Sequence, residues 1–344
     1  MSETPIYRIV RADNCRYSSR DEKVSNLVVR NVNASEEDED EVLEKMVPTD
    51  LMTATGTIGI GASQGWVATL KDQVLCLQDD LNPFASESDP KRVSLACPKT
   101  LPHCQTQMVT NIAMSSSSPW DEECILAVKF LGPQLSLCRP GCQKEKWVNI
   151  RIKDQSFFSS RVMYSEKDKM FSMVGRGGTH TGSWDFESQR FRDRFDFGSY
   201  KEFMDRSHDF TDIRHKEFVQ SEMEELSRCS RSEHLVEAPS GQTFIVKWYT
   251  DICYEDGVPR SKCFMVFEFL GGECIATDDI KEFCIFLSSK GEPFCVEADL
   301  YGLTPNCIYY VSDFDYGKVN LGNDEWVGGN GFFPAPYFIP PQTY

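Results

Sequence analysis

Apolar residues in this chain recur at every second position in short runs, and glycine, proline and charged turns separate the runs. Tyr7 to Ala12 and Asn26 to Val32 alternate over strand length, and strands are read again at Thr243 to Thr250 and Lys262 to Phe269. Elsewhere the runs are nearly continuous: Cys124 to Phe130, Gln134 to Cys138 across Gly132-Pro133, Trp147 to Ile150, Val162 to Tyr164 and Met170 to Met173, with Phe157-Phe158 between them. A period of two predicts half-covered strands, and short apolar runs bounded by turn residues predict covered ones. Phe283 to Leu287 and Cys307 to Val311 flank a polar excursion that ends in Thr304-Pro305-Asn306, which reads as strand, irregular loop, strand. Short strands at about ten-residue spacing predict a sandwich, a barrel or a propeller.

The stretch from Ile58 to Leu77 reads as small residues leading into a Trp66-headed strand. It turns at Lys71-Asp72-Gln73 into Val74 to Leu77, and a loop follows at Asn82-Pro83-Phe84. Val42 to Met46 is read as one turn of helix before Pro48. The segment Tyr200 to Ser230 is charged and poor in β-formers, and its Val219, Met223 and Leu226 stand at i, i+4 and i+7. That pattern predicts one inserted amphipathic helix near 212–229, either a packing flap or a partner-binding element. Asp256-Gly257 marks a turn between the two later strands.

With 40% hydrophobic residues and 12% aromatic ones, the 344-residue chain has enough apolar mass for a large core. Its net charge of −17 and pI near 4.8 argue against nucleic acid and against an anionic membrane surface. The acidic run Glu36 to Glu41 is read as a solvated loop, with docking to a basic partner as the sharper alternative. No apolar run is long enough to span a bilayer. No basic-then-apolar leader precedes the first strand, so the fourteen cysteines are expected in a reducing compartment, mostly as small buried hydrophobes. Arg8, Arg11, Arg16 and Arg20 give the first twenty residues a basic tilt, but acids interrupt it and Tyr7 to Arg11 alternates like a strand.

Candidate chemistry is sparse. Gly59, Gly61 and Gly65 miss the spacing of a dinucleotide fingerprint, and a strand follows where a helix is needed. Cys138 and Cys142, with Cys97, His103 and Cys104 upstream, form no pair of tight zinc couples. His103, His180, His208, His215 and His234 lie scattered among polar residues, outside any catalytic motif. Gly175 to Gly182 reads as a plain interblade loop, with a flexible active-site loop as the alternative. No catalytic residue, metal ligand or cofactor is assigned.

Several tracts resemble one family. Gly61-Ala62-Ser63-Gln64-Gly65-Trp66 is similar to its "G-S-S-x-G-W" opening, and Asp80-Leu81-Asn82-Pro83 to its "L-x-N-P" element. Gly182-Ser183-Trp184-Asp185, Glu233 to Glu237 and Phe244 to Tyr249 fit further pieces of the pattern. Gly302-Leu303 followed by Pro305-Asn306-Cys307-Ile308-Tyr309-Tyr310 resembles its "-GL-PNCIYF-" signature, and Tyr337-Phe338-Ile339-Pro340-Pro341 its ending. The family is the plant domain-of-unknown-function 295, or KIB β-propeller, family. The resemblance implies an all-β propeller of short four-stranded blades over 51–344, with the strands of 5–32 available to complete a blade. Gly61, Ser63, Gly65, Trp66, Asn82, Pro83, Trp184, Pro305, Asn306 and Cys307 are its motif positions here, expected to be structural. Many relatives carry an F-box that docks to a ubiquitin-ligase scaffold. Residues 1–50 show strands and an acidic loop instead of that helical pattern, so the scaffold is not expected as a partner.

The wording of the chain is most similar to an F-box-less branch with organelle presequences, which makes the mitochondrion the alternative to cytoplasm or nucleus. The expectation is a non-enzymatic propeller that binds a protein partner, without nucleic acid, membrane or cofactor. An enzyme with a central-channel pocket and a folded relict without a partner are the alternatives.

Overall fold

A computed structural model describes residues 4–18, 22–34, 39–53, 57–102, 104, 108–142, 146–178, 180–186, 190–196, 225–254, 256–270 and 273–342. These residues form six sheets, the blades I to VI of a β-propeller. Blade I takes β1 (Tyr7–Tyr17), β2 (Lys23–Asn31) and β3 (Glu41–Pro48). Blade II is β4 (Ile58–Ser63), β5 (Trp66–Lys71), β6 (Val74–Gln78) and β7 (Arg92–Ala96). Blade III is β8 (Val109–Met114), β9 (Leu126–Phe130), β10 (Gln134–Cys138) and β11 (Val148–Arg151). Blade IV is β12 (Val162–Ser165), β13 (Met170–Val174), β14 (His180–Asp185) and β15 (Arg190–Asp196). Blade V is β16 (Ser230–Glu237), β17 (Thr243–Ile252), β18 (Pro259–Leu270) and β19 (Glu273–Thr277). Blade VI holds β20 (Phe283–Ser288), β21 (Phe294–Glu297), β22 (Cys307–Val311), β23 (Asp315–Asn320) and β24 (Glu325–Asn330).

The last strand, β25 (Phe338–Ile339), returns to blade I and pairs with β1 through Tyr7↔Ile339 and Arg8↔Phe338. This contact closes the ring. The proline-locked tail cannot donate freely to a ladder, so only its two central residues pair. Residues 1–50 thus supply three strands of a blade whose fourth comes from the other end of the chain.

Apolar layers fill the spaces between neighbouring sheets. Val246 and Trp248 of blade V pack with Ile285, Ile308 and Tyr310 of blade VI. Leu77 and Leu95 of blade II meet Ile112 and Val128 of blade III in the same way. Polar staples also cross between neighbouring blades. Lys45 of blade I buries its ammonium among the carbonyls of Asp79, Asn82 and Ala85, at 3.4, 2.5 and 3.1 Å. Trp147 donates from Nε1 to the Ala96 carbonyl at 2.7 Å.

Blade VI departs from the simple meander. Its order is β21-β20-β22-β23-β24, and β20 runs parallel to β22 from Cys284↔Cys307 to Ser288↔Val311. The polar excursion between these two strands is therefore not an irregular loop throughout. It contains the innermost strand of the blade, followed by a 3-10 turn over Ala298–Tyr301 that ends at Gly302 with φ 65°.

Two local expectations are corrected. Val42 to Met46 belongs to a strand, because pairing with β2 and inward-facing Lys45 and Val47 outweigh the helix propensity of Leu, Glu and Met. Phe157 ends a 3-10 turn whose cap is Asp154, accepting from the Ser156 amide at 2.9 Å. The helix expected near 212–229 falls largely outside the described residues; Glu225 and Leu226, at its end, are helical.

Candidate functional site

The inner strands of the blades converge on a pocket of about 550 Å³ at one end of the propeller axis. Ala62 and Ser63 of β4, Met163 and Tyr164 of β12, Glu237 of β16, and Phe294 of β21 line it. Its position follows from the small residues of β4. A Cβ on Gly61 would come within 2.8 Å of the Ile112 side chain and 3.3 Å of the Lys290 carbonyl. Glycine there lets blade III and the loop after β20 approach the axis together.

That loop, Ser289 to Pro293, crosses from blade VI to blades II and IV. The Ser289 carbonyl accepts from Arg161 Nη2, and the Glu292 amide donates to the Ala62 carbonyl at 2.7 Å. Lys290 pairs with Asp313 at 2.8 Å. The Glu292 carboxyl accepts from the Ser63 hydroxyl and, at 2.8 Å, from the Tyr164 amide. Ser63 Oγ in turn accepts from the Met114 amide at 2.9 Å. Burial pushes the Glu292 carboxyl up to about 7, and the hydrogen bonds from Ser63 and Tyr164 hold it down only in part.

Around this floor the charged groups are tied to neighbours. Glu237 accepts from the Ser165 hydroxyl at 2.5 Å and the Lys167 amide at 3.0 Å. Lys167 Nζ donates to the Gly241 carbonyl at 3.1 Å, and Lys169 pairs with Glu166 at 2.6 Å. Below the floor, His234 is fully buried, contrary to its polar neighbourhood in the sequence. Its Nε2 lies 2.9 Å from Ser232 Oγ, and burial together with the nearby Arg161 guanidinium holds its pKa well below the usual imidazole range. Among the described residues no cluster of His, Cys, Asp or Glu is arranged to hold a metal.

The structure brings some motif positions together and leaves others apart. Ser63 and Gly65 line the pocket, and Gly61 lies next to them on β4. Gln64 and Gly65, with φ of 53° and 82°, make a two-residue turn between the paired Ser63 and Trp66. Asn82 sits beside Gly65 and caps its own loop by accepting from the Phe84 amide at 3.0 Å, with Pro83 half-buried between. Trp66 is buried, donates from Nε1 to the Ser117 carbonyl at 2.8 Å and meets Trp120 edge-on at 5.2 Å. Trp184 packs in the separate core between blades III and IV, opposite Phe171 in the ladder.

Pro305, Asn306 and Cys307 stand at the start of β22, far along the chain. Asn306 adopts φ 58°, accepts from the Ile280 amide at 2.9 Å and donates to the Asp278 carbonyl at 2.9 Å, while Cys307 is fully buried. Sequence reasoning missed Glu292, Arg161 and β21. Nothing in Lys290-Gly291-Glu292-Pro293 marks it as more than a turn, because its partners lie more than a hundred residues away.

A second surface feature lies at the outer junction of blades V and VI. Ile252, Tyr254, Arg260, Lys262 and Trp326 line an open groove of about 690 Å³. Tyr254, at the tip of the β17–β18 hairpin, is fully exposed and Ile252 is 61% exposed. Trp326 is held on Phe264 at 5.5 Å between ring centres and donates to Asp324 at 2.9 Å.

Several solved structures are similar to this chain. The chain is similar to the N-terminal domain of Nup159, at 13% identity, over 78% of this chain and 61% of that one, with a TM-score of 0.34. It is also similar to the dihydro-heme d1 dehydrogenase NirN, at 11% identity over 96% and 55% of the two chains, TM-score 0.40. A third likeness is to Kluyveromyces lactis Hsv2, at 10% identity over 97% and 100%, TM-score 0.35. The chain spans less than two thirds of the length of the first two, and no function is taken from any of the three. No curated protein matches the sequence. The model of the KIB1-4 beta-propeller family matches residues 33–333, the span from the turn after β2 through blade VI, and the chain belongs to that family.

Proposed function

We propose that the protein is a recognition propeller that binds a protein partner and catalyses no reaction on it. The groove at the junction of blades V and VI carries this reading. Single exposed apolar residues are ordinary on a soluble surface, but here Ile252, Tyr254 and Trp326 share one groove with Arg260 and Lys262. Tyr, Trp and Arg are the residues that most often anchor protein interfaces. Trp326 is already fixed by its ring contacts, so it would lose little freedom on binding.

The test is affinity capture and proximity labelling with the full chain, comparing wild type with Tyr254→Ser and Ile252→Ser. Both side chains are exposed, so folding should be preserved. A partner recovered with wild type and reduced at least about tenfold in both variants supports the reading. An unchanged partner set overturns it.

We also propose that residues 1–50 serve as part of the propeller and not as an F-box, as in the F-box-less branch of the plant family. What supports this is that residues 7–17, 23–31 and 41–48 are strands of blade I, where a helical F-box would need three helices. On that reading residues 1–50 dock to no ubiquitin-ligase scaffold, and recovery of scaffold components in the same capture of this chain would refute it. Enzymatic chemistry in the axial pocket is the alternative. The observation that favours it is Glu292, poised near neutrality beside the Ser63 hydroxyl. Its carboxyl oxygens are engaged by Ser63 and Tyr164, which supports a structural role instead.

A further inference from the structure

Two buried polar atoms lie beneath the loop Ser289 to Pro293 with nothing to bond. His234 of β16 is 0% exposed, and its ring is tilted against Trp248 at 5.8 Å between centres. Its Nε2 lies 2.9 Å from Ser232 Oγ, but its Nδ1 is buried without a partner. Trp248 cannot serve it, because the indole Nε1 donates to Ser261 Oγ at 3.0 Å. Arg161, immediately before β12, comes from the neighbouring blade. Its Nη2 donates to the Ser289 carbonyl, whereas its Nη1 is likewise buried and unpartnered.

The inner strands of blades IV and V set these two side chains level. Ser165 bonds Glu237, and Met163 shares an apolar cluster with Leu235, so counting back along both strands brings Arg161 beside Glu233 and His234. The acids nearby are already engaged. Glu233 accepts from the Gly177 amide and from Arg231 Nε, each at 2.8 Å. Asp313, whose charge reaches Arg161, accepts from Lys290 at 2.8 Å and from Ser289 Oγ at 3.4 Å. Burial and the Arg161 charge keep the imidazole neutral, and a Ser232 hydroxyl donating to Nε2 leaves its proton on Nδ1. Two N–H donors thus share one buried neighbourhood with no acceptor, and one of them carries a charge that burial makes costly.

We propose that a small monovalent anion, chloride, binds between Arg161 Nη1 and His234 Nδ1 and joins blades IV and V to the loop of blade VI. Chloride supplies both the acceptor and the counter-charge, whereas water would supply only the acceptor. A monatomic ion also suits an enclosed place flanked by an indole, where a larger oxyanion would need more donors. The proposal does not depend on the protein-binding groove at the outer rim.

Thermal unfolding of the full chain at fixed ionic strength tests it, with sodium chloride exchanged stepwise for sodium gluconate, whose anion is too large to enter. The melting temperature of wild type should rise saturably with chloride, as binding confined to the folded state requires, and bromide should act in the same way. Arg161→Met and His234→Phe should each weaken the apparent chloride affinity about tenfold or more, while Lys153→Met, on the exposed surface after blade III, leaves it unchanged. Both site variants alter packing as well, so the chloride dependence decides, not the melting temperature itself. Should neither fold, wild-type crystals soaked in bromide still locate the ion, and an anomalous peak between Arg161 and His234 supports the site. Equal melting temperatures in chloride and gluconate, an undiminished chloride response in Arg161→Met, or water alone between the two side chains in the bromide-soaked crystal would overturn the assignment.

Discussion

Replacing Trp66 by alanine should lower the unfolding free energy by about 3–5 kcal/mol, the range for emptying a buried aromatic site. The number follows from three contributions at the junction of blades II and III. Trp66 is 7% exposed and packs with Ala68, Leu77 and Ile112. Burying roughly 200 Å² of indole at about 25 cal/mol per Å² gives a ceiling near 5 kcal/mol, which the retained alanine and partial collapse reduce. The Nε1 bond to the Ser117 carbonyl adds about 1 kcal/mol, because Ser117 is exposed and its carbonyl can turn to water.

The edge-on contact with Trp120, at 5.2 Å and 69°, adds about 0.5–1.5 kcal/mol beyond area. Trp66→Phe separates these effects, keeping most of the burial while dropping the N–H, and should cost about 1–2 kcal/mol. Urea titration followed by far-UV circular dichroism avoids the lost tryptophan signal, and the slope must be fitted along with the midpoint. A Trp66/Trp120 double-mutant cycle reads the ring contact directly. A loss below about 1 kcal/mol for Trp66→Ala at unchanged slope, or zero coupling in the cycle, would refute the placement of this side chain as an inter-blade staple.

Two further outcomes are expected. Glu292 has a folded pKa raised to about 7, so the folded chain keeps a proton that the unfolded chain releases near 4.3. Its favourable contribution is complete below the unfolded value and disappears as pH rises through 7. The stability of wild type minus that of Glu292→Gln should therefore fall between pH 5 and pH 8 by about 1–3 kcal/mol, and an equal difference at both pH values would refute it. Lys45→Met should leave the carbonyls of Asp79, Asn82 and Ala85 without their ammonium and cost about 1–3 kcal/mol. Hydrogen exchange reports it locally: the Asn82 and Ala85 amides should exchange faster in the variant, and unchanged protection would contradict the staple.

Strands rich in aliphatic and aromatic residues were legible from the chain alone. Gln134 to Cys138, Met170 to Met173 and Cys307 to Val311 stand within a residue of the strands they predict. The inner strand β4 was not, because Ile-Gly-Ile-Gly-Ala-Ser carries almost no β-forming bulk. The structure supplies the reason: a side chain at Gly59 would meet the Tyr337 hydroxyl within 2.9 Å, so closeness to the axis selects small residues that sequence patterning reads as a lead-in. For β3 the error ran the other way, with good helix formers drawn into a strand by an available edge on β2.

The motif positions around Gly61 and Trp66 could be picked out by resemblance. Their partners could not be. Ser63 and Glu292 are 229 positions apart and become neighbours only when the ring closes. Likewise, Arg8 and Lys318 line one cleft between blades I and VI that no local window contains.

The displacement of β21 to the inside of blade VI ties these features together. A meander would have placed β20 at the axis, β21 antiparallel beside it and β22 beyond β21. Moving the next strand inward makes β20 and β22 parallel and obliges the chain to turn at Ser289 to Pro293, next to the axis. There the loop gains a bond to blade II through Ala62 and bonds to blade IV through Tyr164 and Arg161. Non-adjacent blades are thereby joined directly, not only through their neighbours around the ring. A disc braced in this way favours rigid presentation of its outer grooves over opening along its axis. The return connection from β21 to β22, through the 3-10 turn and the left-handed Asn306, also delivers Tyr309 and Tyr310 to the cleft shared with blade I. One strand rearrangement thus shapes both the floor of the axial pocket and a wall of the cleft between blades I and VI.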